Sequence, residues 1–258
     1  MNKYDVIVVG AGPAGSAAAK AAAQHGARTI ILEEHKAVGI PQHCPGRIQG
    51  SSFTESIMSS INKRMIVTDY RARRVFAPNG KIAQEIPLVG KGFCLVERAE
   101  FDRELARQAI TAGADLRLNT RVSGIERVNG KVLSVLIESQ HLSQVEGKIV
   151  IYAGGIKAWA SGALRQEFPG ITEIRNSNGI LFELTGVRAL EPEIVETHIG
   201  AFNEECYCTV WPRSHESCIM SISSLDTFNK IKSGDYLISK KLSNAVPIQM
   251  NGWSLANI

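Results

Sequence analysis

Short apolar runs alternate with helical patterns at the start of the chain. Residues 4–9 (Y-D-V-I-V-V) form a β-branched run that is typical of a buried parallel strand. A helix is predicted next, with Pro13 in its first turn, an Ala-rich part from Ser16 to His25 and Gly26 at its end, followed by a second strand from Arg28 to Leu32. This order predicts a β-α-β unit of roughly thirty residues.

Extended segments dominate the rest of the pattern. One amphipathic helix is predicted from Ala99 to Thr111. Turns at Asn79-Gly80 and Asn129-Gly130 predict hairpins, and from Gly179 onward the pattern predicts the antiparallel sheet of a second domain. The predicted strands cover residues 65–76, 81–87, 122–128, 131–137, 148–153, 180–184, 195–199, 207–211 and 218–222, and a further helix is predicted over 236–242.

Residues 10–15 (G-A-G-P-A-G) match the dinucleotide-binding pattern G-x-G-x-x-G between the first strand and the first helix. Gly10 permits the tight turn. Gly12 lets the backbone approach a pyrophosphate, and Gly15 lets the helix pack close to the sheet. The position of the motif between strand and helix therefore predicts a nucleotide-containing cofactor.

The helix N-terminus and an acid complete this predicted cofactor site. Pro13 and Ala14 open the helix, whose unpaired N–H groups and dipole favour phosphate. Glu33 follows the second strand and is expected to hydrogen-bond the adenosine ribose; Glu34 is the alternative. The chain then leaves the β-α-β pattern for a loop and extended segments, as in flavoprotein monooxygenases and reductases, so FAD is predicted rather than NAD.

Composition narrows the class of protein. The 258 residues are 44% hydrophobic and 21% charged, as in soluble globular proteins, and a net charge of +4 spread along the chain gives no support for nucleic-acid binding. No apolar run reaches the ~18 residues of a membrane span, so a cytoplasmic protein with at most peripheral membrane contact is expected. The odd number of cysteines and their spacing predict free thiols and no metal site.

Several stretches of the chain together carry a family resemblance. They are D-V-I-V-V-G-A-G-P-A-G-S-A-A-A (5–19), V-G-I-P-Q-H-C-P-G-R-I (38–48), R-A-E-F-D-R-E-L-A (98–106), the turn at 153–155 and Y-C-T-V-W-P (207–212). The chain resembles the geranylgeranyl reductase family of FAD-dependent enzymes, and within it the archaeal digeranylgeranylglycerophospholipid reductases. The loop at 38–48 is the more specific part of this resemblance.

The resemblance implies an α/β fold in which a Rossmann-like FAD-binding domain of the p-hydroxybenzoate hydroxylase type is interleaved with an antiparallel β substrate domain. We expect the FAD-binding domain over residues 1–170, with an excursion near 65–95 that contributes to the substrate side. We expect the substrate domain over 171–258. Family members continue into a G-D-A-A-G element, so this domain is expected to be incomplete.

The resemblance also implies roles for individual residues. Cys44 and Gly46 are expected beside the reactive ring of the flavin as catalytic residues, with the thiol tuning the flavin potential or donating a proton. A small buried thiol without a chemical role is the alternative for Cys44. Arg98 is expected near the ribityl and pyrophosphate groups. The residues expected to line a prenyl cavity are Tyr207, Trp211 and Pro212.

The implied activity is reduction of C=C bonds in the geranylgeranyl chains of membrane-lipid precursors by an FAD-dependent oxidoreductase acting on CH–CH groups. The implied electron donor is reduced ferredoxin or NAD(P)H. Two alternatives remain open: an FAD-dependent monooxygenase or halogenase with the same N-terminal half, and a truncated flavoprotein fragment without catalysis.

Overall fold

The chain divides into two compact units, each assembled from two separate segments of sequence. Residues 1–40 and 99–173 form the first unit, and residues 41–98 and 174–258 form the second. The computed structural model describes residues 3–50, 58–88, 93–128, 131–138, 144–155, 175–200, 206–224 and 246–257.

A six-stranded mixed sheet forms the centre of the first unit. Its strands are β1 (Lys3–Val9), β2 (Thr29–Leu32), β8 (Asp115–Arg117), β9 (Arg121–Val128), β10 (Lys131–Glu138) and β11 (Gln144–Tyr152). They lie in the order β8-β2-β1-β11-β10-β9. The pairs β8/β2, β2/β1 and β1/β11 are parallel, whereas β11/β10 and β10/β9 are antiparallel. The predicted β-α-β unit is thus confirmed.

Among the described residues, two helices pack against this sheet: α1 (Pro13–Gln24) and α2 (Arg98–Thr111). Alanines of both helices, including Ala19 and Ala109, pack with Val8 and Ile31 of the sheet in one apolar cluster. Alanine has almost no side chain to hold the helix away from the strands, so the Ala-rich sequence permits close packing. Side chains from the opposite face of the strands, such as Ile7, form a second cluster.

The second unit contains a seven-stranded sheet and a three-stranded sheet. The larger sheet has the order β16-β12-β15-β14-β13-β5-β6, and the smaller one has the order β3-β7-β4. Their strands are β3 (Arg47–Ile48), β4 (Ile66–Asp69), β5 (Ala72–Phe76), β6 (Ile82–Pro87), β7 (Cys94–Val96), β12 (Arg175–Thr185), β13 (Ile194–Ile199), β14 (Cys206–Pro212), β15 (Ser217–Ser224) and β16 (Val246–Asn257). A short 3₁₀ turn spans Lys63–Met65.

Pairing in the larger sheet is antiparallel, as predicted, except where β5 meets β13. Those two strands run parallel, with Arg73 opposite Val195. The parallel pair joins the β5–β6 hairpin to the strands that begin near residue 175. The two sequence segments of this unit therefore share one continuous sheet.

The prediction of one extended segment over residues 65–76 is wrong. The chain changes sheets in its middle, because the Tyr70 N–H donates to the Phe93 carbonyl at 2.9 Å while the Arg71 N–H donates to the Glu193 carbonyl at 2.9 Å. The two residues thus have backbone partners in different parts of the unit. The result is two short strands, β4 and β5, in place of one.

Other boundaries differ by a few residues. Helix α1 begins at Pro13, as the proline predicts for the first helical turn, and its last residue is Gln24 instead of the predicted His25. Strand β11 begins at Gln144 instead of Lys148 because it pairs with β10 as well as β1. The turn at 129–130 and the helix predicted over 236–242 lie outside the described residues. No helix in the described part of the chain is both long and apolar enough to cross a membrane.

Candidate functional site

The glycine loop between β1 and α1 requires glycine at two of its positions. Gly10 has a φ of +94°, and a Cβ there would lie 2.6 Å from the carbonyl oxygen of Ala153. A Cβ at Gly15 would collide with the carbonyl oxygen of Gly10. Both glycines therefore permit close contact between helix, turn and sheet, which is the role that the motif predicts for Gly15.

Gly12 is different, because its surroundings are open. It has ordinary extended backbone angles, and a Cβ at this position would meet no described atom within 4 Å. Gly12 is also the N-cap of α1, with Pro13 and Ala14 as the first helical residues, and no side chain of the described residues caps this helix end. An uncapped helix N-terminus beside open space suits a phosphate, since the helix dipole and free N–H groups favour an anion.

Glu33 lies against this loop. One carboxylate oxygen accepts the Ala11 backbone N–H at 2.7 Å, and the residue is only 8% exposed. Its backbone is held on both sides, since its N–H donates to the Arg117 carbonyl and its carbonyl accepts from the Thr120 N–H, each at 2.8 Å. Glu33 and the glycine loop are therefore held together in one hydrogen-bonded arrangement.

His35 is a member of this arrangement that the sequence did not indicate. The other carboxylate oxygen of Glu33 accepts the His35 backbone N–H at 3.0 Å and contacts ring nitrogen Nδ1 at 2.6 Å. Glu34, the alternative ribose ligand, is more exposed and lies 3.5 Å from Nε2 of the same ring and 3.8 Å from Arg121. The structure therefore directs Glu33, and not Glu34, towards the glycine loop.

The residues of this loop fit the adenosine diphosphate half of FAD. A carboxylate offers about four acceptor directions, and the protein uses three of those of Glu33. A further direction thus suits a ribose hydroxyl, while the open space at Gly12 suits the pyrophosphate. These residues would hold the cofactor without rearrangement of the strands.

Cys44 and Gly46 lie in the second unit, in the loop that leads into β3. Gly46 is buried with a φ of +93°, and its carbonyl accepts the Val96 N–H at 2.9 Å. A Cβ on Gly46 would collide with the Val96 carbonyl and lie 3.7 Å from the Cβ of Arg98. Cys44 is half-buried, and its carbonyl accepts the Gln42 side-chain amide at 3.0 Å. The structure therefore brings Gly46 and Arg98 close together in the second unit.

The predicted substrate residues are on β14, in two different environments. Trp211 is 5% exposed and packs with Tyr70 and Phe93, at ring-centroid distances of 6.1 and 6.3 Å. The Pro212 carbonyl accepts the Tyr70 hydroxyl at 2.8 Å. Tyr207 is 44% exposed and pairs with Ile199, which is 48% exposed. Tyr207 and Trp211 share one face of the strand, since side chains alternate along it.

Burial sets the protonation of several groups in this unit. Burial raises the pKa of the Tyr70 hydroxyl well above its usual value, and burial together with Asp69 raises the pKa of the Cys94 thiol to about 11. Burial also raises the pKa of Cys208. These groups therefore remain neutral at physiological pH. Among the residues that the structure describes, no cluster of His, Cys, Asp or Glu is arranged to hold a metal ion.

Comparison with known proteins places this arrangement in a family. The family model described as FAD binding domain matches residues 3–234. The chain is similar to digeranylgeranylglycerophospholipid reductase 2 of Methanopyrus kandleri, with 29% identity over 96% of this chain. It spans 64% of the length of that relative. The resemblance to the geranylgeranyl reductase family inferred from the motifs is thereby confirmed.

Solved structures show the same fold. A geranylgeranyl bacteriochlorophyll reductase-like protein from Thermoplasma acidophilum matches with a TM-score of 0.86 and 24% identity, over 99% of this chain and 67% of that one. The myxobacterial chondrochloren halogenase, a variant of the FAD-dependent halogenases, matches with a TM-score of 0.72 and 16% identity, over 98% of this chain and 64% of that one. The predicted α/β fold is confirmed, the cofactor is FAD, and the chain belongs to the FAD binding domain family.

Proposed function

We propose that this protein is an FAD-dependent oxidoreductase that reduces C=C bonds in the geranylgeranyl chains of membrane-lipid precursors. The observation that carries the proposal is the similarity to a digeranylgeranylglycerophospholipid reductase along 96% of the chain. The halogenase is similar in fold only, at 16% identity. We assign the adenosine diphosphate half of the cofactor to the glycine loop and Glu33, and the prenyl chain of the substrate to β14.

Each residue predicted to bind FAD has a proposed task in holding it. Gly10 and Gly15 shape the turn, and Gly12 leaves space for the pyrophosphate. The N–H groups at Ala14 and its neighbours favour the phosphate charge, while Pro13 fixes the start of the helix. Glu33 binds the adenosine ribose, and Arg98 approaches the cofactor from the start of α2.

When bound and reduced, FAD supplies the hydride that saturates an alkene carbon. The protein binds and orients the two reactants and excludes water. We assign to Cys44 the control of a proton at its Sγ. We assign to Gly46 the tight turn that carries this loop past the reacting ring, because a side chain at Gly46 would collide with the Val96 carbonyl. Electrons come from reduced ferredoxin or NAD(P)H.

The exposed apolar surface of the second unit supports a prenyl substrate. Tyr207 and Ile199 are paired across β13 and β14, and both are more than two-fifths exposed. Trp211 lies further along the same face, with Pro212 at the end of the strand. We assign these residues to contact with an apolar chain, which gains free energy by leaving water. The protein is proposed to be cytoplasmic, with peripheral contact to the membrane that holds its substrate.

The decisive experiment is anaerobic product analysis. Protein loaded with FAD is reduced with dithionite and mixed with a geranylgeranylated glycerophospholipid, and the products are examined by mass spectrometry. We expect a mass gain equal to one H₂ for each bond reduced, and no gain with the Gly12→Val variant. A product that forms only with O₂, and contains added oxygen or halogen, would instead identify a monooxygenase or halogenase.

A further inference from the structure

Two arginines of the second unit approach the same aromatic ring. The guanidinium carbons of Arg47 and Arg73 lie 5.4 Å and 5.5 Å from the centre of the Phe93 ring. Arg47 belongs to β3, Arg73 belongs to β5, and Phe93 directly precedes β7. Segments from both sheets of the unit thus bring two positive charges to one place.

Neither of these arginines has an acidic partner in the described part of the chain, unlike other arginines of the same unit. Arg74 forms ion pairs with Glu85 and Glu191, at 2.9 and 2.6 Å. Arg213 likewise bridges two glutamates. In contrast, the Nε atom of Arg73 is buried, and no hydrogen-bond partner for it exists among the described residues.

This arrangement is electrostatically unfavourable without an anion. Burial and the positive charge of Arg47 both lower the pKa of Arg73, and no carboxylate of the described residues counteracts them. The Phe93 ring offers a partial compensation, because the face of an aromatic ring attracts a cation. It does not supply a hydrogen-bond acceptor for the guanidinium N–H groups. A ligand with negatively charged oxygens would supply both charge and acceptors.

We propose that Arg47 and Arg73 bind a phosphate or diphosphate group, and that this group belongs to the polar end of the prenyl substrate. Guanidinium groups suit phosphate because their planar N–H donors match its oxygens in pairs. The assignment of this phosphate to the prenyl substrate rests on the proposed function.

The aromatic cluster next to the arginines indicates what kind of molecule carries the phosphate. Phe93 stacks on Trp211 at 6.3 Å with an interplanar angle of 18°, and Trp211 also contacts Tyr70. These rings belong to an apolar cluster with Leu95 and Val195. Positive charge directly beside an apolar cluster suits an amphipathic ligand. The anionic group of this ligand contacts the arginines, and its apolar part lies along the face of β14 that carries Trp211 and Tyr207.

The first test measures anion binding and does not depend on reductase activity. Binding of inorganic diphosphate is measured by calorimetry for the wild-type protein, Arg47→Gln, Arg73→Gln and the double variant. We expect the dissociation constant to rise about tenfold for each arginine removed. Arg71→Gln is the matched control, because Arg71 lies beside β5 but is half-exposed and approached by Glu191 and Glu193. Equal diphosphate binding by the wild-type protein and the double variant would overturn the anion site.

The second test identifies the source of the phosphate. The KM for geranylgeranyl diphosphate should rise about tenfold in each arginine variant. The KM for geranylgeraniol should not change, because this alcohol lacks phosphate. The dissociation constant of FAD should not change either. A loss of FAD affinity with unchanged KM would overturn the assignment to the substrate and give the phosphate to the cofactor. If neither lipid is reduced by the wild-type protein, the proposed function fails, while the diphosphate measurement still decides the anion site.

A folding control keeps these results interpretable. Arg47 is exposed, so Arg47→Gln is expected to retain the wild-type melting temperature. If Arg73→Gln unfolds, Arg73→Lys retains the charge but loses the paired geometry of the N–H donors. Lower diphosphate affinity in folded Arg73→Lys supports the proposal, whereas wild-type affinity in both Arg47→Gln and Arg73→Lys contradicts it.

Discussion

The carboxylate of Glu33 accepts a hydrogen bond of 2.7 Å from the backbone nitrogen of Ala11. The acid that follows β2 is thereby attached to the glycine loop that follows β1. Since the carboxylate is already positioned by the protein, the ribose contact that we propose for Glu33 needs little rearrangement, and preorganisation of this kind favours affinity.

Gly12→Val should abolish FAD binding while the fold persists. A Cβ at Gly12 meets no described atom within 4 Å, so the protein accommodates the side chain, which then fills the space proposed for the pyrophosphate. We expect loss of flavin absorbance with a nearly unchanged melting temperature. Gly15→Ala is the matched control: its Cβ collides with the Gly10 carbonyl, so it should lower the melting temperature itself. Full flavin binding by folded Gly12→Val would refute the placement of the pyrophosphate.

Glu33→Ala should weaken FAD binding by about 1–3 kcal/mol, the range for a lost hydrogen bond to a charged group. It also leaves the Ala11 N–H without its buried acceptor, so a decrease in the free energy of unfolding should accompany the change. Titration of the apoprotein with FAD measures the first effect and urea unfolding the second. Glu34→Ala provides the comparison, because the Glu34 ion pairs are long and exposed and should contribute little. A larger loss of FAD affinity in Glu34→Ala would reverse the assignment.

Cys44→Ser should leave FAD affinity unchanged but alter the flavin reduction potential or the rate of alkene reduction. The thiol is half-buried, and serine has nearly the same size but a much weaker acid. Potentiometry and single-turnover reduction of the prenyl substrate give the two measurements. An unaltered potential together with an unaltered rate would leave Cys44 as a packing residue.

Thiol labelling gives an independent measure of where Cys44 lies. Bound FAD should slow its labelling, whereas Cys94 should resist labelling with or without FAD until the pH approaches about 11, the value to which burial raises its pKa. The thiolate is the reactive species, so a raised pKa suppresses reaction at neutral pH. Equal labelling rates of Cys44 with and without FAD would argue against a place beside the cofactor.

Tyr70→Phe should lower the free energy of unfolding by about 1 kcal/mol, since it removes a buried hydrogen bond to the Pro212 carbonyl. Thr68 also reaches this carbonyl, at 3.4 Å, which limits the loss. Urea unfolding near pH 7 measures the difference between the two proteins. The Thr68 hydroxyl makes the weaker contact with this carbonyl, so Thr68→Val should lower the free energy of unfolding less than Tyr70→Phe does.

The difference caused by Tyr70→Phe should shrink at high pH. Burial raises the pKa of Tyr70 in the folded protein, so above the ordinary phenol value of about 10 the unfolded state releases a proton that the folded state retains. The free energy of unfolding of the wild-type protein therefore falls as pH rises through this range, and the Phe variant lacks this contribution. Buried thiols such as Cys94 titrate alike in both proteins. A constant difference from pH 7 to about pH 11 would contradict the buried phenol.

The sequence predicted those parts of the fold that depend on neighbours along the chain. The positions of Gly10 and Gly15, the β-α-β unit and most strands follow from turn chemistry and apolar periodicity over short windows. The sheet change at Tyr70 and Arg71 was not predictable in this way. No Gly or Pro marks it, and its backbone partners, Phe93 and Glu193, are distant in sequence.

The same distinction applies to the site. Gly12 and Glu33 were predicted because the fingerprint fixes their spacing. The contact between His35 and Glu33 depends on how the ring turns back after β2, which no periodicity indicates. The approach of Arg47 and Arg73 to Phe93 depends on three segments that meet only in the folded second unit.

The parallel pairing of β5 with β13 has a consequence during synthesis on the ribosome. The β5–β6 hairpin is complete once Pro87 has emerged, but one edge of β5 stays open until Ile199 follows. At translation rates of roughly 5–20 residues per second, this delay is on the order of ten seconds. An open strand edge offers unpaired backbone groups to any other strand, so the nascent chain is exposed to wrong pairing throughout that time. We therefore expect a lower yield of folded protein when translation slows before residue 199, or when no chaperone covers this strand edge. The loss should be smaller for a protein whose sheets form in sequence order.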